Sequence, residues 1–385
     1  MSETVSAELL DDVRERLARD AAPLTPQLVA QALRERGRPV GDATVLAVHD
    51  ALHRDVVGAG PLEPLLRLDG VTDVLVNGAD QVWIDRGAGL ERTGIGFPHD
   101  GAVRRLAQRL AASGGRRLDD ASPYVDLRLP DGSRFHAVLA PVARPGTVLS
   151  LRVPRQRVFT LAELVEAGSV ATDGAALLEL VVQRRLAFLV SGGTGSGKTT
   201  LLNALLSLVA PDERLVLVED ASELRPDHAH VVALEARPAN IEGAGEVTLR
   251  TLVRQALRMR PDRLVVGEVR GAEVVDMLAA MNTGHEGGCA TVHANSAADV
   301  PSRVEGLALA AGLTREATHS QLYSAVDVVI HLGRGRDRRR RVREIGVVTR
   351  SPDGSVDVRT GVGFDSDGSL VPGPAIDELS ALIEP

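Results

Sequence analysis

The sequence predicts an α/β protein, a largely parallel sheet covered by helices from about residue 171 onward, preceded by a smaller α+β domain over residues 55–154. Three observations predict it. After residue 171, short apolar runs alternate with helical segments: Ala187–Ser191, Leu215–Glu219, Leu264–Gly267 and Ala290–His293. Such runs carry no polar alternation, as expected of strands buried on both faces. Residues 55–154 instead alternate polar and apolar over short stretches between turn residues, the pattern of half-buried antiparallel strands. A glycine-rich loop joins the first apolar run of the later region to a helical pattern.

Taken in order, residues 1–54 read as a helical N-terminal segment. Val13, Leu17 and then Leu28, Val29, Ala32 and Leu33 recur at helical spacing, and the Pro23–Pro26 region separates two helices. In the 55–154 domain, Val71–Val76 and Gln81–Asp85 are strands around an Asn77-Gly78 turn. Asp100 is placed to cap a helix whose Val103, Leu106, Ala107 and Leu110 share one face. Tyr124–Leu129 and Arg134–Leu139 alternate on either side of Pro130-Asp131-Gly132, which reads as a β-hairpin, and Leu149–Val153 is a further strand. Residues 155–170 read as a linker with a short helix. Residues 171–385 form the helix-covered sheet domain.

Composition narrows the function. A formal net charge of -8 and only 2% aromatic residues argue against a nucleic-acid-binding role, which usually carries a basic surface and stacking platforms. The single cysteine, Cys289, excludes an intrachain disulfide and a four-thiolate zinc site, and fits a cytoplasmic location. The N-terminus is charged and amphipathic, unlike a signal peptide. No uncharged apolar run reaches the roughly 18 residues of a membrane span, so direct membrane insertion is not expected. The basic run Arg334–Arg343 reads as the tip of a hairpin between Val326–Leu332 and Val342–Val348, with a nucleic-acid patch as the alternative.

Of 44 Lys and Arg residues, only Lys198 is a lysine. It falls in Gly192-Gly193-Thr194-Gly195-Ser196-Gly197-Lys198-Thr199-Thr200, a complete GxxxxGK[ST] phosphate loop between an apolar strand and a helix. Glycines let several backbone N–H groups turn toward phosphate oxygens, and the helix N-terminus adds its positive end. Lys198 is expected to reach the β- and γ-phosphates of ATP, and Thr199 to hold Mg²⁺. A compact ammonium fits such a loop where a planar guanidinium does not.

Around this loop the sequence resembles the type II and type IV secretion ATPases, within the RecA-like branch of P-loop proteins. The resemblance rests on SGGTGSGKTTLLNAL, on LVLVEDASEL at Leu215–Leu224, on LRMRPDRLVVGEVRG at Leu257–Gly271 and on NTGHEGGCATVHANS at Asn282–Ser296. VVGAGPLEPLLRLDGVTDVLVNG at Val56–Gly78 and RLPDGSRFHAVLAPV at Arg128–Val142 are most similar to the Tad/CpaF group, which powers Flp-type pilus assembly. The resemblance implies a RecA-like P-loop domain behind a PAS-like α+β domain. It also implies a homo-hexamer, peripheral at the cytoplasmic face of the membrane, whose ATP hydrolysis drives integral membrane platform proteins of a Tad/type IV-like secretion system.

Read by its chemistry, Glu268 ends an apolar strand, where a carboxylate can orient the attacking water. The position before it, where a Walker B strand usually has Asp, is Gly267. Thr199, with Glu219 and Glu268 acting through water, are the candidates for Mg²⁺. Glu219, Asp220 and Glu223 cluster after a buried strand, and Asp220 is equally a helix cap. His285 and His293 admit a zinc or buried-histidine reading; the resemblance makes them γ-phosphate sensors. Arg128 and Arg134 face one another across the hairpin, an unfavourable pairing unless an anion lies between them. The resemblance makes these two and Arg152 donors to the nucleotide phosphates. Arg254, Arg258, Arg260 and Arg270 are candidates for subunit contacts.

Overall fold

The computed structural model describes residues 13, 25–34, 44–46, 48, 58–87, 89–153, 158–239, 243–284, 286–335, 339–365 and 367–384. Most of the 1–54 segment, residues 154–157, His285 and the hairpin tip at 336–338 lie outside them. The chain divides into two units, Met1–Arg155 and Gln156–Pro385.

In the first unit, helix α1 (Pro26–Arg34) buries Val29, Ala30, Ala32 and Leu33. The short α2 (Glu63–Leu66) leads to β1 (Asp73–Asn77), β2 (Val82–Asp85) and β3 (Leu90–Arg92), then α3 (Asp100–Ser113) and β4 (Tyr124–Arg128), β5 (Arg134–Val138) and β6 (Val148–Arg152). The six strands form one sheet in the order β3-β2-β1-β6-β5-β4. Leu127, Phe135 and Leu151 point inward and pack with Val103, Leu106, Ala107 and Leu110 of α3. Period-2 strands against a period-3.6 helix stripe is why this region reads so plainly in sequence.

Asp100 does not cap α3. His99 holds the N-cap position and no side chain caps there. The Asp100 carboxylate instead accepts from Thr147 N at 2.7 Å and Thr147 Oγ1 at 3.0 Å, tying the helix start to the segment before β6. A contact across 47 residues outcompeted the local one.

The second unit begins with α4 (Leu161–Glu166), closed by a capping box between Thr160 and Glu163. Leu161 and Leu164 belong to the core of this unit, so the helix of the 155–170 segment is part of it and not a spacer. There follow α5 (Thr172–Gln183), β7 (Phe188–Gly192), α6 (Lys198–Leu206), β8 (Leu215–Glu219), β9 (Val231–Glu235), α7 (Leu249–Ala256), β10 (Arg263–Val269), α8 (Glu273–Met281) and β11 (Cys289–Val292). Then come α9 (Val300–Ala310), α10 (Arg315–Ala325), β12 (Val328–Arg334), β13 (Arg340–Arg350), β14 (Val356–Phe364), β15 (Leu370–Pro372) and α11 (Ile376–Ile383).

These strands make a nine-stranded sheet, β15-β14-β13-β12-β7-β11-β10-β8-β9. From β12 to β9 neighbours run parallel; β13, β14 and β15 add an antiparallel edge. Phe188 and Val190 of β7 face one core with α4, α5 and α6, while Leu189 faces the other with α7, α8, α9 and α10. Both faces are covered, which is why the strands are unbroken apolar runs. The chain leaves β7 for β8, then returns through β10 to set β11 beside β7, with β12 on its other side. Strand order thus switches at β7, and the crevice at its carboxyl end is where such sheets bind ligands. Among the described residues no helix is long and apolar enough to cross a membrane.

Candidate functional site

The glycine loop occupies the carboxyl end of β7. Gly192, Gly195 and Gly197 have φ of 151°, 66° and 101°, which only glycine adopts readily, and the run of them folds the chain back on itself. Lys198 is the first residue of α6, and Thr199 and Thr200 follow it on the first turn. The Lys198 ammonium is buried and donates to Gly192 O at 3.0 Å and Gly193 O at 3.1 Å. Burial lowers its pKa, against which the Glu268 charge works. Gly193, Thr194 and Gly195 form the exposed lip of the loop, while Ser196 is buried, its hydroxyl without a hydrogen-bond partner among the described residues.

Beside the loop, His293 follows β11 and Glu268 lies near the end of β10. Lys198 Nζ stands 3.4 Å from His293 Nδ1, and His293 Nε2 contacts the Glu268 carboxylate. An ammonium can only donate, so Nδ1 is the acceptor and the ring proton sits on Nε2, the nitrogen in contact with the Glu268 carboxylate. Burial, then the Lys198 charge, holds the His293 pKa below its ordinary value and favours this neutral tautomer. Arg270 pairs with the other oxygen of Glu268. Lysine, histidine, carboxylate and arginine thus form one chain of contacts spanning three parallel strands. A cavity of about 400 Å³ opens next to it, lined by Gly193, Thr194, His293, Asn295, Asp299 and Arg303 among others.

The glycine in place of the usual Asp has a steric reason. Glu219 ends β8, beside Gly267 on β10, and a Cβ at Gly267 would lie 2.6 Å from Glu219 Cγ. The Glu219 side chain fills the space a residue at 267 would need, so a carboxylate is supplied there from the neighbouring strand. Its Oε1 accepts from Glu223 N at 3.1 Å and Leu224 N at 3.0 Å, while Oε2 is buried with no hydrogen-bond partner among the described residues. Burial pushes the Glu219 pKa up to about 7. An orphaned carboxylate oxygen at the same carboxyl edge of the parallel sheet as the phosphate loop is of the kind a Mg²⁺ site uses, since that ion takes one or two carboxylates and completes its shell with phosphate and water.

The raised pKa has a consequence for stability. Between about pH 4.5 and 7 the unfolded chain has lost the Glu219 proton while the folded chain keeps it, so stability falls as pH rises through this window. The loss amounts to about 3 kcal/mol at most. Glu219→Gln is expected to flatten that part of the pH–stability curve in chemical denaturation. An unchanged slope would show that the carboxyl titrates normally.

His285 lies outside the described residues. Glu223 bears on Lys198 electrostatically, and Asp220 is exposed at the end of β8. Of the four arginines left for subunit contacts, Arg270 belongs to the cluster above and Arg254 pairs with Asp276 at 2.6 Å, as Arg250 does at 2.5 Å. Arg260 has a left-handed backbone, φ 54°, just past a short helix.

Sequence reasoning missed Ser191 and His331. Ser191 Oγ and His331 Nδ1 are 2.9 Å apart in the core beneath the loop. Burial holds the His331 pKa down. The only signal was a polar residue in each of two apolar strands, uninformative until β12 is known to lie beside β7 with His331 opposite Ser191.

In the first unit, Arg128, Arg134, Arg152 and Asp73 fall in one row across β4, β5, β6 and β1. The like charges facing across the hairpin are relieved within the sheet. Arg134 makes a two-pronged contact with Asp126, 3.1 and 2.6 Å; Arg128 donates to Gly132 O at 3.3 Å and Arg152 to Asp73 at 3.2 Å. Part of the negative charge this row calls for comes from Asp126, which sits diagonally across the hairpin from Arg134.

The type II/IV secretion system protein family matches residues 55–359. A putative conjugal transfer protein of Mycobacterium tuberculosis (strain H37Rv) is 58% identical over 327 residues, covering 83% of this chain and 93% of the relative. The type IV secretion system protein PtlH of Bordetella pertussis is 34% identical over 313 residues, covering 74% and 92%. Among solved structures, the Yersinia pseudotuberculosis ATPase DotB has a similar fold, with TM-score 0.52 at 16% identity, covering 83% of this chain and 80% of that one. With the match spanning most of the chain and the phosphate loop, acidic strand ends and histidine of the site all inside it, this chain belongs to the type II/IV secretion system protein family.

Proposed function

We propose that the chain is an ATP-hydrolysing motor that powers assembly of a Flp/Tad-type pilus or protein secretion. The observation that carries this reading is the contact chain Lys198–His293–Glu268 beside the glycine loop. Loop N–H groups and Lys198 bind the triphosphate. Bound Mg²⁺, held by Thr199 with Glu219 and Glu268, would neutralise charge on the phosphate oxygens. Glu268 orients the attacking water. His293, touching both Glu268 and Lys198, is placed to register whether the terminal phosphate is present. His285 is proposed for the same role on resemblance alone. A homo-hexamer acting on membrane platform proteins completes the reading, on the same ground. Phosphate release by the purified chain in Mg-ATP tests it; no release above the Lys198→Arg background refutes it.

The relatives' names support a second reading, a motor for conjugal transfer. The net charge of -8 opposes direct work on DNA. ATPase activity that rises several-fold on adding DNA would favour the second reading, and activity indifferent to DNA the first.

Arg128, Arg134 and Arg152 are proposed to bind nucleotide phosphates. Their alignment in one row supports this, because a single anion can draw on neighbouring guanidinium groups. Arg128→Ala and Arg134→Ala are each expected to weaken binding of an ATP analogue by roughly 1.5–3 kcal/mol. Surface arginines with no such role would change it by less than about 0.5 kcal/mol. Calorimetric titration separates the two outcomes.

A further inference from the structure

The basic run between β12 and β13 reads from sequence as a solvated turn. Its first residue is not directed only at solvent. β12 lies beside β7, with Leu332 opposite Gly192, so the strand runs directly alongside the root of the phosphate loop. Two residues on, Arg334 Nη2 donates to Gly195 O at 3.2 Å. A Cβ at Gly195 would stand a tight 3.2 Å from that same nitrogen, so the glycine eases this approach as well as its left-handed φ of 66°. Across the hairpin, Arg340 pairs with Arg334, and its Cδ lies 3.8 Å from where a Cβ at Gly197 would be.

We propose that Arg334 is a positioning residue of the phosphate loop, holding the Gly195–Ser196 peptide in the orientation that nucleotide binding needs. The peptide unit is planar and trans, so its C=O and N–H point in opposite directions. Arg334 takes the carbonyl from the hairpin side. The Ser196 N–H is thereby turned to the loop interior, where it donates to Gly193 O at 3.3 Å. A phosphate oxygen in the loop would take over that same donor. Gly195 is free to rotate by the same lack of a side chain that admits Arg334, so an external anchor is what selects one of its peptide orientations. The inference rests on the loop being a nucleotide site. It moves part of the basic run from a solvent or nucleic-acid role into that site.

The test uses the full chain with a fluorescent ATP analogue and steady-state phosphate release. Arg334→Ala is expected to raise Kd and KM on the order of tenfold, the loss of one charge-assisted hydrogen bond, with kcat within about twofold. Arg334→Lys should recover most of the affinity, since its ammonium can still donate to Gly195 O. The defect of Arg334→Ala should persist at high salt, because a hydrogen bond at contact distance is screened far less than a diffuse field. A defect that vanishes at high salt overturns the positioning role in favour of general attraction. Unchanged nucleotide affinity in Arg334→Ala, with wild type binding normally, overturns this inference and leaves the nucleotide reading intact. So does a loss confined to binding of a duplex DNA oligonucleotide. Wild-type chain that binds no ATP analogue overturns both.

Discussion

Lys198→Arg is expected to abolish ATP turnover, by on the order of 10³-fold or more, while the melting temperature stays near that of wild type. The substitution keeps the charge, and arginine stands at each of the other basic positions of the chain outside histidine. What it changes is shape. The ammonium is enclosed by Gly192 O, Gly193 O and His293 Nδ1 at 3.0, 3.1 and 3.4 Å. A guanidinium is wider and planar and directs five donors in a fixed fork. To fit between two carbonyls of a loop that turns within a few residues, it must displace the loop backbone itself. It would also press on His293 and so on Glu268. Fold stability is spared because the loop lies at the end of β7, outside both cores. Phosphate release and thermal melting measured on one preparation check both halves. Near-normal turnover would end the phosphate-loop reading.

Much of the architecture was legible because the physics was local. Unbroken apolar runs marked strands covered on both faces, and Phe188–Gly192, Leu215–Glu219 and Cys289–Val292 lie where those runs do. The hairpin around Pro130-Asp131-Gly132 was legible from alternation and turn chemistry. The edge strands β14 and β15 and the helix α11 were not read, nor was β9. Val231–Glu235 is a sheet-edge strand with no fully buried residue, and its short apolar run VVALE follows an irregular polar stretch that gives no sign of where a strand begins.

The site was legible in its parts and not in its connections. Glu268, His293 and Lys198 each stood out at a strand end or in the loop, but their contact requires β7, β11 and β10 to lie side by side in that order. Glycine at 267 looked like a missing ligand until Glu219 was found over it. Asp126 is not legible as the partner of Arg134 from direct cross-strand opposition, because the two are diagonal neighbours, still within reach of a long side chain. Arg334 was hidden by its surroundings: a dense run of arginines reads as surface, and only the parallel pairing of β12 with β7 shows which one meets the loop.

Glu268→Gln is expected to keep nucleotide affinity within about threefold of wild type and to lower turnover on the order of 10²–10⁴-fold, the usual range for losing a positioned base. The reason lies in what surrounds this carboxylate. Arg270 donates to one of its oxygens, and His293 Nε2, which carries the ring proton, lies in contact with the other. An amide offers one acceptor and one donor, so one of the two must face an N–H group. His293 cannot relieve this by moving its proton to Nδ1 without turning a donor toward the Lys198 ammonium, 3.4 Å away. The amide therefore breaks the contact chain at its middle, besides being unable to draw a proton from water. Affinity is retained because the loop N–H groups and Lys198 remain in place. Equilibrium binding of an ATP analogue and single-turnover hydrolysis report the two effects separately. Binding lost in parallel with turnover would make Glu268 a brace for the loop, and normal turnover would move the activating carboxylate elsewhere, with Glu219 the next in line.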